Sequence, residues 1–136
     1  MLAIKTKKYV DAIIEAPPSK SYTQRALIIS SLADGKCLIK CPLFSEDTGY
    51  MVSALRQFGI RIDKKGSDLA VHGTGGNLKI PNKPIFAGNA GTAMRFLAAF
   101  ASIADGETTI TGDKRMQQRP IKDLIDALGQ LGAKVE

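Results

Sequence analysis

The sequence predicts an α/β protein made of repeated βαβαββ units, with helices buried inside, sheets outside and the last unit incomplete. Strand and helix patterns alternate along the first half of the chain. Two sequence segments recur about 70 residues later, which indicates an internal duplication. One helical segment is apolar on nearly every side, which is typical of a helix buried between layers.

The composition fits one packed domain of 136 residues, of which 44% are hydrophobic and 24% charged. The longest apolar run, 96–101, is too short to cross a bilayer, and no signal-peptide core follows the N-terminal lysines. We therefore expect a cytoplasmic protein without membrane contact. A strand would hold Cys37 and Cys41 roughly 13 Å apart, so we expect no disulfide between them. Because the chain has one histidine and no cluster of Cys or His, we expect no metal site.

The net charge of +6 raises nucleic-acid binding as an alternative function. The 19 Lys and Arg residues are spread along the chain and form no reader motif, and aromatic residues make up only 6%. Small acidic substrates explain a basic surface equally well, so we expect no nucleic-acid partner.

The elements of the first unit, about 15–75, alternate in type. Two short strands are predicted at 4–9 and 12–14, and a helix at 21–32 follows the Pro17-Pro18 pair. The remaining elements are strands at 36–41, 60–62 and 69–72, and a helix that is capped at Ser45 and ends at Gly59.

The second unit, about 76–136, repeats the first and is truncated. Segment 120–136 echoes 47–63 at a spacing of 73 residues, and 102–106 echoes 31–35 at a spacing of 71 residues. In the first unit a turn and a strand follow the last matched residue. We therefore expect this chain to be the N-terminal piece of a longer protein.

The helix predicted at 92–104 lies early in the second unit. Its side chains are almost all apolar and leave no polar stripe, so we expect it to be buried. Helices should then pack inside and sheets outside.

Three short segments combine cations or glycines with a helix start, where free amide groups and the helix dipole favour an anion. In the first, 17–25, Lys20 supplies a mobile charge, Ser21 a hydroxyl, and Arg25 a guanidinium one turn along. An ordinary serine-capped helix with two solvated cations is the alternative.

In the second segment, 88–95, Asn89 and Gly91 open the apolar helix and would let a ligand approach bare amides. An asparagine-capped tight turn is the alternative. Arg95 matches Arg25 in the repeat, and we expect it to form a buried or interfacial ion pair.

In the third segment, 112–120, Arg119 stands just outside a helix expected to start at Pro120. A cation opposes the helix dipole there unless an anion lies between them, and a solvated loop charge is the alternative. Asp47 has the matching position before the second helix, where an acidic residue is most often an N-cap.

Together these segments resemble the motifs of the enolpyruvyl transferase family, and within it those of the enolpyruvylshikimate-phosphate synthases. The similar sequence segments are SKSYTQRAL at 19–27, GNAGTAMR at 88–95 and RMQQRPI at 115–121. The sister enzymes that act on UDP-N-acetylglucosamine are the alternative. They would carry asparagine in place of Ser21 and usually a reactive cysteine within 113–118.

This resemblance implies a transferase without metal or other cofactor, which moves the enolpyruvyl group of phosphoenolpyruvate to the 5-hydroxyl of shikimate 3-phosphate and releases phosphate. The implied catalytic residues are Lys20 and Asp47. The implied ligands of shikimate 3-phosphate are Lys20, Ser21 and Arg25, and those of phosphoenolpyruvate are Lys20, Asn89, Gly91 and Arg119. Sensitivity to glyphosate is also implied, because Gly91 has no side chain.

The family fold has two similar domains of three units each around a cleft. We therefore expect this chain to need the remaining C-terminal part of the same enzyme as its partner, and to be inactive alone. A free-standing anion-binding domain without turnover is the second hypothesis.

Overall fold

Residues 3–136 are described by a computed structural model, in which helices and strands alternate. The helices are α1 (Lys20–Leu32), α2 (Glu46–Gln57), α3 (Gly91–Ala101) and α4 (Lys122–Gln130), with a 3₁₀ turn at Met116–Gln118. The strands are β1 (Asp34–Ile39), β2 (Arg61–Lys65), β3 (Asp68–Thr74), β4 (Ile85–Phe86) and β5 (Ile110–Thr111).

The strands form two sheets, one for each expected unit. In the first, β3 lies between β1 and β2 and pairs with both in antiparallel register, which places Lys36, His72 and Arg61 in one row. In the second, β4 and β5 pair in parallel, with Ile85 opposite Ile110. The unit boundaries near residue 75 stay a prediction.

The core lies between the helices and the inner face of the first sheet. Leu27, Leu55 and Leu97 are fully buried, one from each of α1, α2 and α3. Phe58, just after α2, meets Phe100 of α3 edge to face, with ring centroids 5.1 Å apart. β1 is largely exposed on the outside, so the expected arrangement of inner helices and outer sheet is confirmed.

The start and end of α2 follow from its sequence. Ser45 and Thr48 form a capping box: the N–H of Ser45 donates to the Thr48 hydroxyl at 2.8 Å, and the N–H of Thr48 donates to the Ser45 hydroxyl at 3.4 Å. After α2 the backbone turns at Gly59 with φ +90°, which glycine adopts without a steric penalty. Both predicted boundaries are confirmed.

The strands predicted at 4–9 and 12–14 are wrong. Residues 3–19 contain no strand, and the apolar side chains of Ile4, Tyr9 and Ile13 are exposed. The reason is that no neighbouring strand within residues 3–136 pairs with this segment, and a strand needs a partner for its backbone groups. The matching place in the second unit is taken by β4, which does have a partner in β5.

The bounds of β1 and α3 also differ from prediction. β1 covers Asp34–Ile39, so Cys41 lies beyond it, exposed, with φ +44° and its N–H donating to Asp68. α3 ends at Ala101, and only its face with Ala93, Leu97 and Phe100 is fully buried. The rest of α3 is mostly half-buried, because α1, α2 and β5 cover one side of it.

None of the helices in the described part of the chain is long and apolar enough to cross a membrane.

Removing the α2 cap should destabilise the chain. Ser45→Ala loses the acceptor for the N–H of Thr48, so we expect the free energy of unfolding to fall by about 1 kcal/mol. Urea unfolding checks this. Ser53→Ala, inside the same helix, is the matched control and should leave stability unchanged or slightly higher; an equal loss in both variants would contradict the cap.

Candidate functional site

The first turns of α1 and α2 meet through an ion pair. The Nζ atom of Lys20, the first residue of α1, donates to Oδ2 of Asp47 at 2.7 Å. Both predicted catalytic residues are therefore brought together. Because the two side chains are 48% and 30% exposed, the pair adds little to stability. The ammonium retains two further N–H groups that a ligand can accept from.

The start of α1 is held against the loop before α2. Ser19, not Ser21, is the N-cap and accepts from the N–H of Tyr22. Thr23 donates to the carbonyl of Ser19 and accepts from the N–H of Leu43, both at 2.9 Å. Sequence reasoning missed Thr23, because nothing local in the sequence marks a bond to a residue twenty positions away.

Arg25 bridges α1 and α3. Its Nη1 donates to the carbonyl of Ser21 at 3.1 Å, and its guanidinium carbon lies 5.3 Å from the ring centroid of Phe96. The predicted position on the Ser21 face of the helix is confirmed. The contact with the ring of Phe96 is a cation–π interaction. The guanidinium of Arg25 stays exposed and is held next to α3.

The second and third segments meet at Gly91. A Cβ atom added to Gly91 would lie 2.7 Å from Nη2 of Arg119, so the guanidinium covers the bare backbone of the helix start. Nη1 of Arg119 also donates to the carbonyl of Asn89 at 3.4 Å. The three residues expected to share one ligand therefore lie together, and any side chain at position 91 would displace the guanidinium of Arg119.

Arg119 is placed by the short 3₁₀ turn before it. Oδ1 of Asp113 accepts from the N–H of Met116 at 2.7 Å, and the N–H of Arg119 donates to the carbonyl of Met116. α4 starts at Lys122 and not at Pro120 as predicted, since the carbonyl of Pro120 is engaged by a side chain of α3. Asp113 was also missed, although Asp three residues before a turn is a recognisable cap signal.

Arg95 does not form the predicted ion pair within residues 3–136. Its guanidinium donates to the carbonyls of Gly91, at 3.1 Å, and Pro120, at 2.8 Å. The prediction is wrong because both acceptors are backbone carbonyls, and the pattern of charged residues does not reveal such partners. Arg95 therefore ties the segment after Arg119 to the start of α3.

The candidate residues Lys20, Asn89 and Arg119 are exposed at the protein surface. Of two grooves of about 530 and 460 Å³, one runs along α2 and the other lies beside Pro17, Ser19 and Cys41, next to the first segment. Lys20, Gly91 and Arg119 line neither groove. The surface has exposed cations beside helix N-termini, and these favour a bound anion.

The family model for EPSP synthase (3-phosphoshikimate 1-carboxyvinyltransferase) matches residues 4–136. The chain belongs to the EPSP synthase family. A relative named 3-phosphoshikimate 1-carboxyvinyltransferase, from Methanothermobacter thermautotrophicus, is 44% identical over 131 residues, which is 96% of this chain and 31% of that protein. The pentafunctional AROM polypeptide of Komagataella phaffii is 45% identical over 92% of this chain, and the match covers 9% of its length.

Solved structures agree with these matches. EPSP synthase from Acinetobacter baumannii superposes with a TM-score of 0.83 and 29% identity, over 89% of this chain and 28% of that one. The expected family and fold class are confirmed. The chain spans about a third or less of the length of each of these three relatives.

Proposed function

We propose that this chain belongs to a cytoplasmic transferase that joins the enolpyruvyl group of phosphoenolpyruvate to the 5-hydroxyl of shikimate 3-phosphate and releases phosphate. Such a step serves chorismate and aromatic amino acid biosynthesis. The observation that carries the proposal is the family match over 4–136, a range that contains the Lys20–Asp47 pair and the Gly91–Arg119 contact. The names of the relatives support the synthase over the enzyme acting on UDP-N-acetylglucosamine.

Electrostatics explain why such a reaction needs this surface. Two anions must be brought together, and cations and helix N-termini offset their repulsion. The proposed ligands of shikimate 3-phosphate are Lys20, Ser21 and Arg25, at the start of α1. Those of phosphoenolpyruvate are Lys20, Asn89, Gly91 and Arg119, at the start of α3.

The chemistry itself is addition followed by elimination. The 5-hydroxyl oxygen bonds to C2 of phosphoenolpyruvate while C3 takes up a proton and the hydroxyl loses its own. The tetrahedral adduct then loses a proton from C3 and expels phosphate, which restores the double bond. Lys20 contacts both substrates and takes part in proton transfer, and Asp47 orients its ammonium group. We propose no metal or other cofactor.

A non-catalytic anion-binding domain is the second candidate, because exposed cations beside helix N-termini would bind an anion with or without turnover. The three proposed cations, Lys20, Arg25 and Arg119, face on the order of four to five negative charges on the two substrates. We propose that the rest of the enzyme supplies the remaining charges. Neither a nucleic acid nor a membrane belongs to this function.

The first experiment separates the two candidates by reconstitution. The chain is mixed with the part of the Methanothermobacter relative that lies outside the match, and phosphate release is followed with both substrates present. We expect turnover on mixing and none from the 136-residue chain alone, because an open site stays wet and does not align the reactants. Turnover by the chain alone would refute the need for a partner, and none on mixing would favour the binding domain.

In that mixture Lys20→Ala should lower kcat/KM by roughly 10-fold to 100-fold, since a hydrogen bond to a charged group contributes about 1.5–3 kcal/mol. The control is Lys122→Ala, which removes a lysine of similar geometry that pairs with Asp126 at 2.6 Å on α4. Arg95→Ala should cost less than Lys20→Ala. Near-normal turnover in the Lys20 variant would remove this residue from the site.

Glyphosate provides a third test. In Gly91→Ala the new methyl group would meet the guanidinium of Arg119, so Arg119 must move and the inhibition constant for glyphosate should rise. Gly129→Ala, in α4, is the matched control because a Cβ there meets nothing within 4 Å. An inhibition constant unchanged by Gly91→Ala would show that glyphosate does not bind against this contact.

A further inference from the structure

Tyr50 of α2 packs its ring directly on Gly88, the residue that begins the glycine loop before α3. A Cβ atom added to Gly88 would overlap the Tyr50 ring, and Gly88 also has φ +55°. Glycine is therefore required there for two reasons, a left-handed backbone and the ring that covers it. The ring limits where the loop from Gly88 to Gly91 can lie.

Two contacts hold the Tyr50 ring in place. Its hydroxyl donates to Oε1 of Glu46, one turn earlier in α2, at 2.6 Å. Its ring meets Phe86 of β4 edge to face, with centroids 5.6 Å apart. The hydrogen bond to Glu46 also raises the pKa of the Tyr50 hydroxyl above its usual value.

From Gly88 the contacts continue to the segment that carries Arg119. The carbonyl of Gly88 accepts from the N–H of Asp113 at 3.1 Å, and Asp113 in turn caps the turn before Arg119. A Cβ atom on Gly112 would collide with the same carbonyl, so the two backbones approach closely. Gly88 is thus held between the Tyr50 ring on one side and the 112–113 backbone on the other.

Asp47 lies three residues before Tyr50 on the same helix. α2 therefore connects the Lys20–Asp47 pair with the Tyr50 ring that covers Gly88. We propose that Tyr50 is a positioning residue. Its ring sets the distance between the Lys20–Asp47 pair and the group formed by Asn89, Gly91 and Arg119. This inference rests on the proposed function, in which those two groups hold a shared ligand.

The test uses Tyr50→Phe and Tyr50→Leu in the reconstituted enzyme. The phenylalanine variant keeps the ring and loses only the bond to Glu46, so its KM for phosphoenolpyruvate should stay within about twofold. The leucine variant should raise that KM at least tenfold and leave the KM for shikimate 3-phosphate within about threefold. A role in stability alone would lower the melting temperature without this split, and that result would overturn the inference.

A double-mutant cycle adds a direct test of the contact. Gly88→Ala should raise the same KM because its methyl group overlaps the ring, and Tyr50→Ala should do so because the ring is lost. Combined, the two changes should cost clearly less than the product of the separate losses, since the overlap is gone. Additive losses would show that Tyr50 and Gly88 do not act through each other.

A measurement without catalysis separates this inference from the proposed function. In NMR spectra of the 136-residue chain, the amide signals of Asn89 and Gly91 should shift in Tyr50→Leu and stay in place in Tyr50→Phe. Unchanged signals in both variants would overturn the positioning role. If the signals shift but the reconstituted wild-type enzyme releases no phosphate, the positioning role stands and the proposed reaction fails.

Discussion

The convergence of helix N-termini is the constraint on which the rest of the structure depends. The first turns of α1 and α2 are joined by Lys20 and Asp47, and Arg119, three residues before α4, covers the start of α3. Each N-terminus contributes about half a positive charge, and the lysine and arginine add to it. Acidic residues of the first turns offset this charge only in part, at Glu46, Asp47 and Asp123. Cations that lie beside helix N-termini favour the binding of an anion.

Contacts between distant residues keep these helix starts together. Thr23 holds the loop before α2, Tyr50 covers Gly88, and Arg95 holds the carbonyl of Pro120. Each acts on backbone of another segment, so it sets a position without needing a particular side chain as its partner. The glycines at 88, 91 and 112 allow these approaches, because a Cβ atom at any of them would collide with a neighbour. The close packing of these segments therefore sets both the geometry of the site and the positions that require glycine.

Local signals made much of this predictable from the sequence. The cap at Ser45, the turn at Gly59 and the motif residues Lys20, Gly91 and Arg119 are marked by near neighbours in the chain. Two of the wrong predictions depend on distant partners: the segment 4–14 has no strand beside it within residues 3–136, and Arg95 binds carbonyls where charge alone suggested an acid. The pairing of Asp47 with Lys20 could be expected only through the family resemblance, because 27 residues separate them.

Arg25 and Arg95, which match each other in the predicted repeat, make different contacts. Each lies near the start of its helix and donates to the carbonyl four residues earlier, at the same 3.1 Å. The shared bond is what a duplicated helix start would retain. The other contacts of the two guanidinium groups differ. Arg25 lies exposed over the ring of Phe96, whereas Arg95 is half-buried and donates to the carbonyl of Pro120. Arg25 makes one backbone bond and stays exposed, which leaves N–H groups that a ligand can accept from, whereas both terminal nitrogens of Arg95 donate to backbone carbonyls. Arg95 thereby joins the start of α3 to the segment that follows Arg119.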